Sequence, residues 1–135
     1  MIKDIEAMHK KMSVYEEVDR LAEEGGLSDL LRFRVSMLTE EYEETLSALR
    51  ANDSEEVVDG LTDMLVVILG TMDLFDIDAP KAWDQVMAAN LAKEPGIKPG
   101  RPNPLGLPDL MKPPGWEAPS HEGNHGLLPS VLVAK

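Results

Sequence analysis

The sequence predicts an all-α fold: a four-helix unit followed by an extended Pro/Gly-rich C-terminal tail. Apolar residues recur at spacings of three and four over most of residues 3–92, which is the period of an amphipathic helix. Aromatic residues make up only 4% of the chain and eight Met accompany many Leu and Val, which favours helix packing over a β-sandwich. Nine of the ten prolines follow residue 93, where they exclude a long helix.

The first two helices are separated by a glycine pair. The first is predicted over residues 3–22 and ends at Gly25-Gly26, since glycine favours the left-handed cap of a helix. Ser28 is suited to the N-cap of the second helix, which runs to about Arg50. Its apolar stripe consists of Leu31, Val35, Leu38, Tyr42, Leu46 and Leu49.

The third and fourth helices begin at polar caps. Ser54 begins the third helix, which continues to about Phe75 through the apolar run 64–69. Asp78 and Pro80 form a helix start, which predicts a fourth helix over about 79–92. This helix is expected to bury Trp83, Val86, Met87 and Leu91.

Charge and composition restrict the function. The net charge of −12 argues against a nucleic-acid duplex or an anionic membrane as partner. It is compatible with a nucleotide, because a bound divalent cation can invert the local field. The absence of Cys leaves carboxylates as the main metal ligands, which suit Mg²⁺, Mn²⁺ or Ca²⁺. The N-terminus opens a helix rather than a signal peptide, which predicts a cytoplasmic protein.

Two domains of different character are predicted. Residues 1–93 carry the whole net charge and form a helical catalytic domain, whereas residues 94–135 form a neutral tail. The tail keeps several Leu and Trp116, so we expect it to pack on the body or on a neighbouring subunit. Residues beyond about 120 are expected to be dispensable for the chemistry. Because the core is small, a homodimer or homotetramer is predicted.

Acidic residues gather on the second and third helices. Glu40, Glu41 and Glu44 share a face of one, and Glu56, Asp59 and Asp63 form a stripe on the other. The two helices are joined by a short turn and must run antiparallel, so the stripes can face each other. Such carboxylates repel unless a divalent cation lies among them. The alternative interpretation is a solvated acidic face.

Two residues of the third helix favour the metal interpretation. Asp63 borders the apolar run that begins at Met64, where a carboxylate needs a partner. Gly60 is unfavourable in mid-helix by about 1 kcal/mol, which suggests that another part of the molecule approaches it closely.

This pattern resembles the all-α nucleoside triphosphate pyrophosphohydrolase superfamily, which contains MazG-type enzymes, dimeric dUTPases and phosphoribosyl-ATP pyrophosphohydrolase. Its signature is Glu-Glu-x-x-Glu followed by Glu-x-x-Asp on the next helix. Residues 40–44 match the first half. For the second half, Glu56-x-x-Asp59 matches the letters, but the run 59–67 is more similar to the family's segment. In that register Asp63 is the motif Asp, Gly60 replaces the motif Glu, and Asp59 supplies the missing carboxylate.

Further elements resemble MazG-like proteins of phage and bacterial type. Asn90 and Lys93 match an Asn-x-x-Lys element, and residues 112–116 match a Lys-Pro-x-Gly-Trp element. The resemblance covers about residues 28–119. It implies a four-helix MazG-like unit that uses Mg²⁺, with Mn²⁺ as an alternative, to cleave (deoxy)nucleoside triphosphates to monophosphate and pyrophosphate.

The resemblance also implies roles for particular residues. Glu41, Glu44, Asp59 and Asp63 are the expected metal ligands, and Glu40 is a ligand or the general base. Asn90, Lys93, Arg101 and Lys112 are the expected substrate-binding residues. The corresponding structural interpretations are a C-cap for Asn90 and a helix-dipole cation for Lys93. Trp83 is assigned to the core, and Trp116 to packing of the tail.

Two alternatives remain open from the sequence. One keeps the fold and changes the substrate to phosphoribosyl-ATP. The other is a nonenzymatic helical module whose acidic groove binds a basic partner. The sequence does not name the base, and the three histidines show no pattern that assigns them a partner.

Overall fold

A computed structural model describes residues 1–132. The chain is mostly helical and broadly all-α, as predicted. Residues 133–135 of the predicted tail lie outside the described residues. The α-helices are α1 (Ile2–Lys11), α2 (Val14–Glu24), α3 (Leu27–Arg50), α4 (Ser54–Leu74) and α5 (Ala79–Leu91). Strands β1 (Glu94–Gly96) and β2 (Asp109–Met111) and a 3₁₀ turn (Leu128–Ser130) follow. Within the described range, none of the helices combines the length and the apolar character that a membrane crossing requires.

The predicted first helix is wrong in one respect, because the structure divides it into α1 and α2. Met12 ends α1, and Ser13 adopts a left-handed backbone conformation with φ of 53°. The apolar positions Met8, Met12 and Tyr15 keep spacings of four and three across the break. The sequence period therefore conceals it.

Helices α3 and α4 form an antiparallel pair joined by the turn 51–53. Thr45 near the end of α3 approaches Gly60 near the start of α4, and Arg34 near the start of α3 bonds to Thr71 near the end of α4. The two helices therefore run in opposite directions. This pair packs more extensively than any other two elements. The Asp53 side chain caps α4 by accepting a hydrogen bond from the Glu56 N–H at 3.1 Å. The N-cap of α3 is Gly26 rather than the predicted Ser28.

The inner face of α3 differs from its predicted apolar stripe. Three members of that stripe, Val35, Tyr42 and Leu49, are at least 50% exposed. The residues turned inward include Leu27, Arg34, Glu41 and Ala48, which recur at intervals of seven. Two charged residues thus lie on the buried side of the helix.

The core lies where α2, α3 and the end of α4 meet. Its fully buried centre is Phe75, with Val18, Leu27 and Leu74 around it. The C-terminal segment returns to this cluster, where Leu127, Leu128 and Val131 pack against it. The Leu127 N–H donates to the Phe75 carbonyl at 2.8 Å. Residues after 125 therefore complete the core, and the dispensability of the chain beyond 120 for the chemistry stays a prediction.

The tail contains a small sheet instead of coil alone. Strands β1 and β2 pair antiparallel, with Pro95 opposite Leu110. In α5 only Ala89 is buried, whereas Trp83 and Leu91 are 66% and 79% exposed. The assignment of Trp83 to the core is therefore wrong. The α5 surface at Ala89 is covered by the tail, because Trp116 Nε1 donates to the Ala89 carbonyl at 2.7 Å.

Contacts within the chain define two compact units. The first consists of Met1–Ala79 together with the segment from His125, and the second is Pro80–Asn124. The first unit contains α1–α4 and the core around Phe75. The second contains most of α5 and the β1–β2 sheet. These limits differ from the predicted boundary at residue 93, and the assignment of catalysis to residues 1–93 stays a prediction.

Candidate active site

Glu41 is the carboxylate that the antiparallel pair places between α3 and α4. It is half-buried, and it lines a cavity together with Asp63 of α4. Partial burial raises the pKa of its carboxyl above the usual range. The charges of Asp63, Glu44, Glu40 and Asp59 raise it further. All five acidic residues predicted for the site are thus electrostatically coupled at Glu41.

Among the residues that the structure describes, no basic side chain neutralises this group. Within residues 1–132, none of these five carboxylates forms an ion pair. Glu40, Glu44 and Asp59 are exposed, and Asp63 is partly buried. In the same range, no three or more His, Asp or Glu side chains lie close enough together to hold a metal ion as they stand.

Gly60 marks the closest approach of the two helices. A Cβ atom built at Gly60 would overlap the Thr45 hydroxyl, and it would lie 3.1 Å from the Thr45 Cβ. The close approach predicted from this glycine is confirmed. The position that would hold the motif Glu in the Asp63 register therefore has no room for a side chain. Glu56, the motif Glu of the other register, is exposed in the first turn of α4.

The cavity beside Glu41 and Asp63 extends along the inner faces of α3 and α4 towards α1. Its volume is about 290 Å³. At the other end lie the side chains of His9 and Arg34. The walls between are apolar and are formed by Met8, Met12, Val14, Met37, Val66 and Val67.

Sequence reasoning missed a hydrogen-bonded cluster behind this cavity. His9 is 2% exposed, and its Nδ1 donates to Asp73 Oδ2 at 2.6 Å. The Tyr15 hydroxyl donates to the same oxygen at 2.6 Å. Burial, then the hydrogen bond and charge of Asp73, raise the pKa of Tyr15 to about 12. Asp73 at the end of an apolar helix was a sign of a partner, but nothing in the sequence pointed to His9.

Arg34 was also missed, although it lies within the apolar stripe of α3. Its Nε donates to Thr71 Oγ1 at 3.0 Å, and its Nη2 donates to the Val67 carbonyl at 3.1 Å. Partial burial lowers the pKa of its guanidinium. A cation between two apolar positions, Leu31 and Leu38, was the sequence feature that indicated an inward-facing charge.

Comparison with known proteins identifies the family. The sequence model of the phosphoribosyl-ATP pyrophosphohydrolase family matches residues 9–90, more than half of the chain. The chain belongs to this family. The match supports the resemblance to the MazG-like all-α NTP pyrophosphohydrolase superfamily, of which this family is a member. The protein is thus a nucleotide pyrophosphohydrolase, a hydrolase of phosphoric anhydride bonds. A comparison with curated proteins returned no match.

Three of the substrate-binding residues predicted for this pyrophosphohydrolase gather around Trp116 in the second unit. Lys93 Nζ and Lys112 Nζ lie 5.1 Å and 5.0 Å from the Trp116 ring centroid. Lys93 Nζ also donates to Asn90 Oδ1 at 3.1 Å. Trp116 itself is held against α5 by its hydrogen bond to the Ala89 carbonyl. Arg101 is exposed and lies outside this group.

Proposed function

We propose that this pyrophosphohydrolase cleaves (deoxy)nucleoside triphosphates to monophosphate and pyrophosphate with Mg²⁺ as cofactor and Mn²⁺ as an alternative. The observation that carries the proposal is Glu41, a half-buried carboxyl whose pKa is raised by its burial and by four neighbouring carboxylates. Charges so arranged without a basic partner favour a bound divalent cation.

The chemistry of the donor set suits such a cation, although within residues 1–132 the side chains would have to move closer together to hold it. Glu41, Glu44, Asp59 and Asp63 offer only carboxylate oxygens, which hard cations such as Mg²⁺ and Mn²⁺ prefer. These four residues would hold the metal. When bound, Mg²⁺ supplies stabilisation of the negative charge that develops on the phosphate oxygens.

Glu40 is the proposed general base. It is exposed on α3, directly beside Glu41 in the chain, where solvent reaches it. In this mechanism water attacks the α-phosphorus, its proton passes to the Glu40 carboxylate, and the bond from the α-phosphorus to the bridging oxygen breaks. The products are a nucleoside monophosphate and pyrophosphate.

The lysines around Trp116 are proposed to bind phosphate oxygens. Two ammonium groups near one aromatic ring concentrate positive charge, and an ammonium group is a common phosphate ligand. Asn90 orients the Lys93 ammonium group through its hydrogen bond. Arg101, the fourth predicted residue, is proposed as a more peripheral phosphate contact because it is exposed.

A substrate panel tests the proposal. The eight common ribo- and deoxyribonucleoside triphosphates and dUTP are incubated with the protein and Mg²⁺, and released pyrophosphate is measured. We expect pyrophosphate with at least one of them, and none after removal of Mg²⁺ with EDTA. Release of orthophosphate instead would contradict cleavage at the α-phosphorus.

Because Lys93 is proposed to bind substrate phosphate, Lys93→Met should raise the KM for the triphosphate more than it lowers kcat.

Phosphoribosyl-ATP is the second candidate substrate. It is favoured by the family description itself, which names this substrate and fits the chain equally well. The same assay with phosphoribosyl-ATP decides between the two. A kcat/KM for phosphoribosyl-ATP at least tenfold above that for every triphosphate would reject nucleoside triphosphates as the main substrates.

A homodimer or homotetramer is also proposed. Exposed apolar residues follow α4 at spacings of three and four, namely Val58, Leu61, Leu65 and Ile68. On α3, Val35, Tyr42 and Leu49 are exposed at intervals of seven. Such stripes suit packing against helices of a second copy. Light scattering after size-exclusion chromatography measures the mass, and a monomer at micromolar concentration would contradict the proposal.

A further inference from the structure

Arg34 is a half-buried cation that the proposed hydrolytic chemistry does not use. Its guanidinium has five N–H donors, of which the bonds to Thr71 and Val67 occupy two. The other three have no partner among residues 1–132, and in that range no carboxylate pairs with its charge. Gly70 leaves room for this group, because a Cβ there would lie 2.6 Å from Nη2. The cavity thus contains donors that a ligand can satisfy.

The walls of the cavity suit a flat ring. Between its charged ends they are formed by Met and Val side chains, among them Met37 and Val66. Thioether and aliphatic groups pack against aromatic faces, whereas they offer nothing to a phosphate. A volume of about 290 Å³ lies at the lower end of the range of ligand pockets and accommodates a nucleoside rather than a whole triphosphate.

The two ends of the cavity are spaced for such a ligand. Arg34 and Glu41 are seven residues apart on the inner face of α3, which is roughly 10 Å along a helix. The carboxylates proposed to hold the metal are at one end, and the guanidinium is at the other. A nucleotide whose α-phosphate is at Glu41 would direct the edge of its base that is remote from the sugar towards Arg34.

We propose that this cavity binds the nucleobase of the substrate, and that Arg34 selects bases with a carbonyl group on the edge remote from the sugar. The inference rests on the proposed function, whose metal-binding carboxylates it uses to orient the nucleotide. The preferred substrates are therefore nucleotides of uracil, thymine and guanine.

The selectivity follows from hydrogen-bond chemistry. A guanidinium only donates, so it needs acceptors. On the remote edge, thymine and uracil offer O4, and guanine offers O6 and N7. Cytosine and adenine place an amino group at the position of this carbonyl, which leaves donors facing donors there, although adenine keeps N7 as an acceptor. The buried edge would then lose the hydrogen bond at this position, which is how polar sites reject a wrong ligand.

Binding of nucleoside monophosphates tests the inference without turnover. UMP, thymidine monophosphate, GMP, CMP and AMP are titrated calorimetrically into the protein with Mg²⁺. Arg34→Met removes the donors, and Arg32→Met, at an exposed position of the same helix, is the matched control. We expect Arg34→Met to weaken the three carbonyl-bearing nucleotides at least fivefold relative to Arg32→Met, and to change CMP and AMP less than twofold. An equal change for all five, or none, overturns the inference.

A second pair of variants tests the cavity itself and remains informative if Arg34→Met does not fold. Val66→Phe fills the cavity, and Ala22→Phe adds a phenyl ring at an exposed position of α2. Only Val66→Phe should abolish binding of all five nucleotides. Retained binding in a folded Val66→Phe protein overturns the placement of the base.

The outcome is separable from that of the proposed function. Pyrophosphate release from triphosphates, with a base preference that Arg34→Met leaves unchanged, rejects the role of Arg34 and retains the hydrolase. Binding of the monophosphates in the predicted order, without pyrophosphate release from any triphosphate, supports the base site and rejects the proposed reaction.

Discussion

Glu41 and Glu44 allow the metal to be tested by stability alone. A ligand that binds only the folded state raises the melting temperature, so Mg²⁺ or Mn²⁺ should do so for the native protein. Glu41→Gln/Glu44→Gln should abolish this increase, since it removes two proposed ligands. Differential scanning fluorimetry with and without metal measures the effect. Glu43→Gln/Glu55→Gln is the control, and a metal response that persists in the first double variant would place the site elsewhere.

The register of the second acidic stripe is a separate question at the residue scale. Asp59 and Asp63 both act on the pKa of Glu41, whereas Glu56 is exposed one or two turns away along α4. We expect Asp59→Asn and Asp63→Asn each to lower kcat at least tenfold, and Glu56→Gln to change it less than twofold. Steady-state pyrophosphate release measures all three. The opposite ranking would assign the function to Glu56-x-x-Asp59.

Tyr15 gives the stability of the protein a dependence on alkaline pH. Its pKa is raised from 10.0 to about 12, so the folded protein retains the phenol proton that the unfolded chain loses first. The stabilisation is complete below about pH 10 and is lost as pH rises towards 12. Tyr15→Phe should lower the free energy of unfolding by about 1.5–3 kcal/mol at pH 7, because it removes a hydrogen bond to a carboxylate.

The difference between the native protein and Tyr15→Phe should shrink over pH 10–12, as measured by urea denaturation at several pH values. Tyr42→Phe, at an exposed tyrosine of α3, controls for general alkaline unfolding. A constant difference across that range would show that the Asp73 hydrogen bond does not hold the proton.

At the scale of elements, the contact between α3 and α4 depends on Gly60. Alanine would favour the helix by about 1 kcal/mol, but its methyl group would collide with Thr45 and overpacking costs about 1–3 kcal/mol. We therefore expect Gly60→Ala to lower the free energy of unfolding. Thr45→Ala/Gly60→Ala should recover part of the loss because it removes the hydroxyl. Chemical denaturation of the four proteins of this cycle measures it, and a more stable single variant would disprove the close approach.

How much of the molecule the sequence predicts depends on the range of each interaction. Helices α3 and α4 and their antiparallel arrangement follow from local apolar periodicity and a three-residue turn. The break at Ser13 does not, because the apolar period continues through it. The acidic stripes were predictable because their members are close in sequence. The contact of His9 with Asp73 spans 64 residues and has no local pattern, and the inward orientation of Arg34 is set by Thr71 on another helix.

At the scale of the whole molecule, the first unit is discontinuous in sequence. Its core around Phe75 is covered by residues that follow the entire second unit. Gly126 lies where the C-terminal segment passes over the end of α4, and a Cβ there would overlap the Phe75 carbonyl oxygen. Its φ of 52° is also left-handed. This segment was predicted as tail because nine of the ten prolines follow residue 93, although residues 127–132 are themselves mostly apolar.

Alanine substitutions at Gly123 and Gly126 distinguish the cost of backbone strain from the cost of losing the contact with Phe75. Gly126 and Gly123 both have positive φ, but a Cβ at Gly123 meets no atom of residues 1–132 within 4 Å. Each alanine substitution should therefore carry a similar backbone penalty, of about 1–2 kcal/mol. Gly126→Ala should lower the free energy of unfolding by at least about 1 kcal/mol more, because it displaces the segment from Phe75. Equal losses, measured by urea denaturation, would show that the segment does not cover the core.

The return of the C-terminal segment also determines when the first unit can fold during synthesis. A ribosome completes residue 75 before residue 127, and at about 5–20 residues per second the interval is on the order of several seconds. During that time Phe75 of the nascent chain is not yet covered by Leu127, Leu128 and Val131. A chaperone that binds apolar segments can bind Phe75 in this interval. The C-terminal segment of another molecule, whose synthesis is already complete, can also pack against it. Slower translation of the second unit should therefore favour exchange of this segment between molecules.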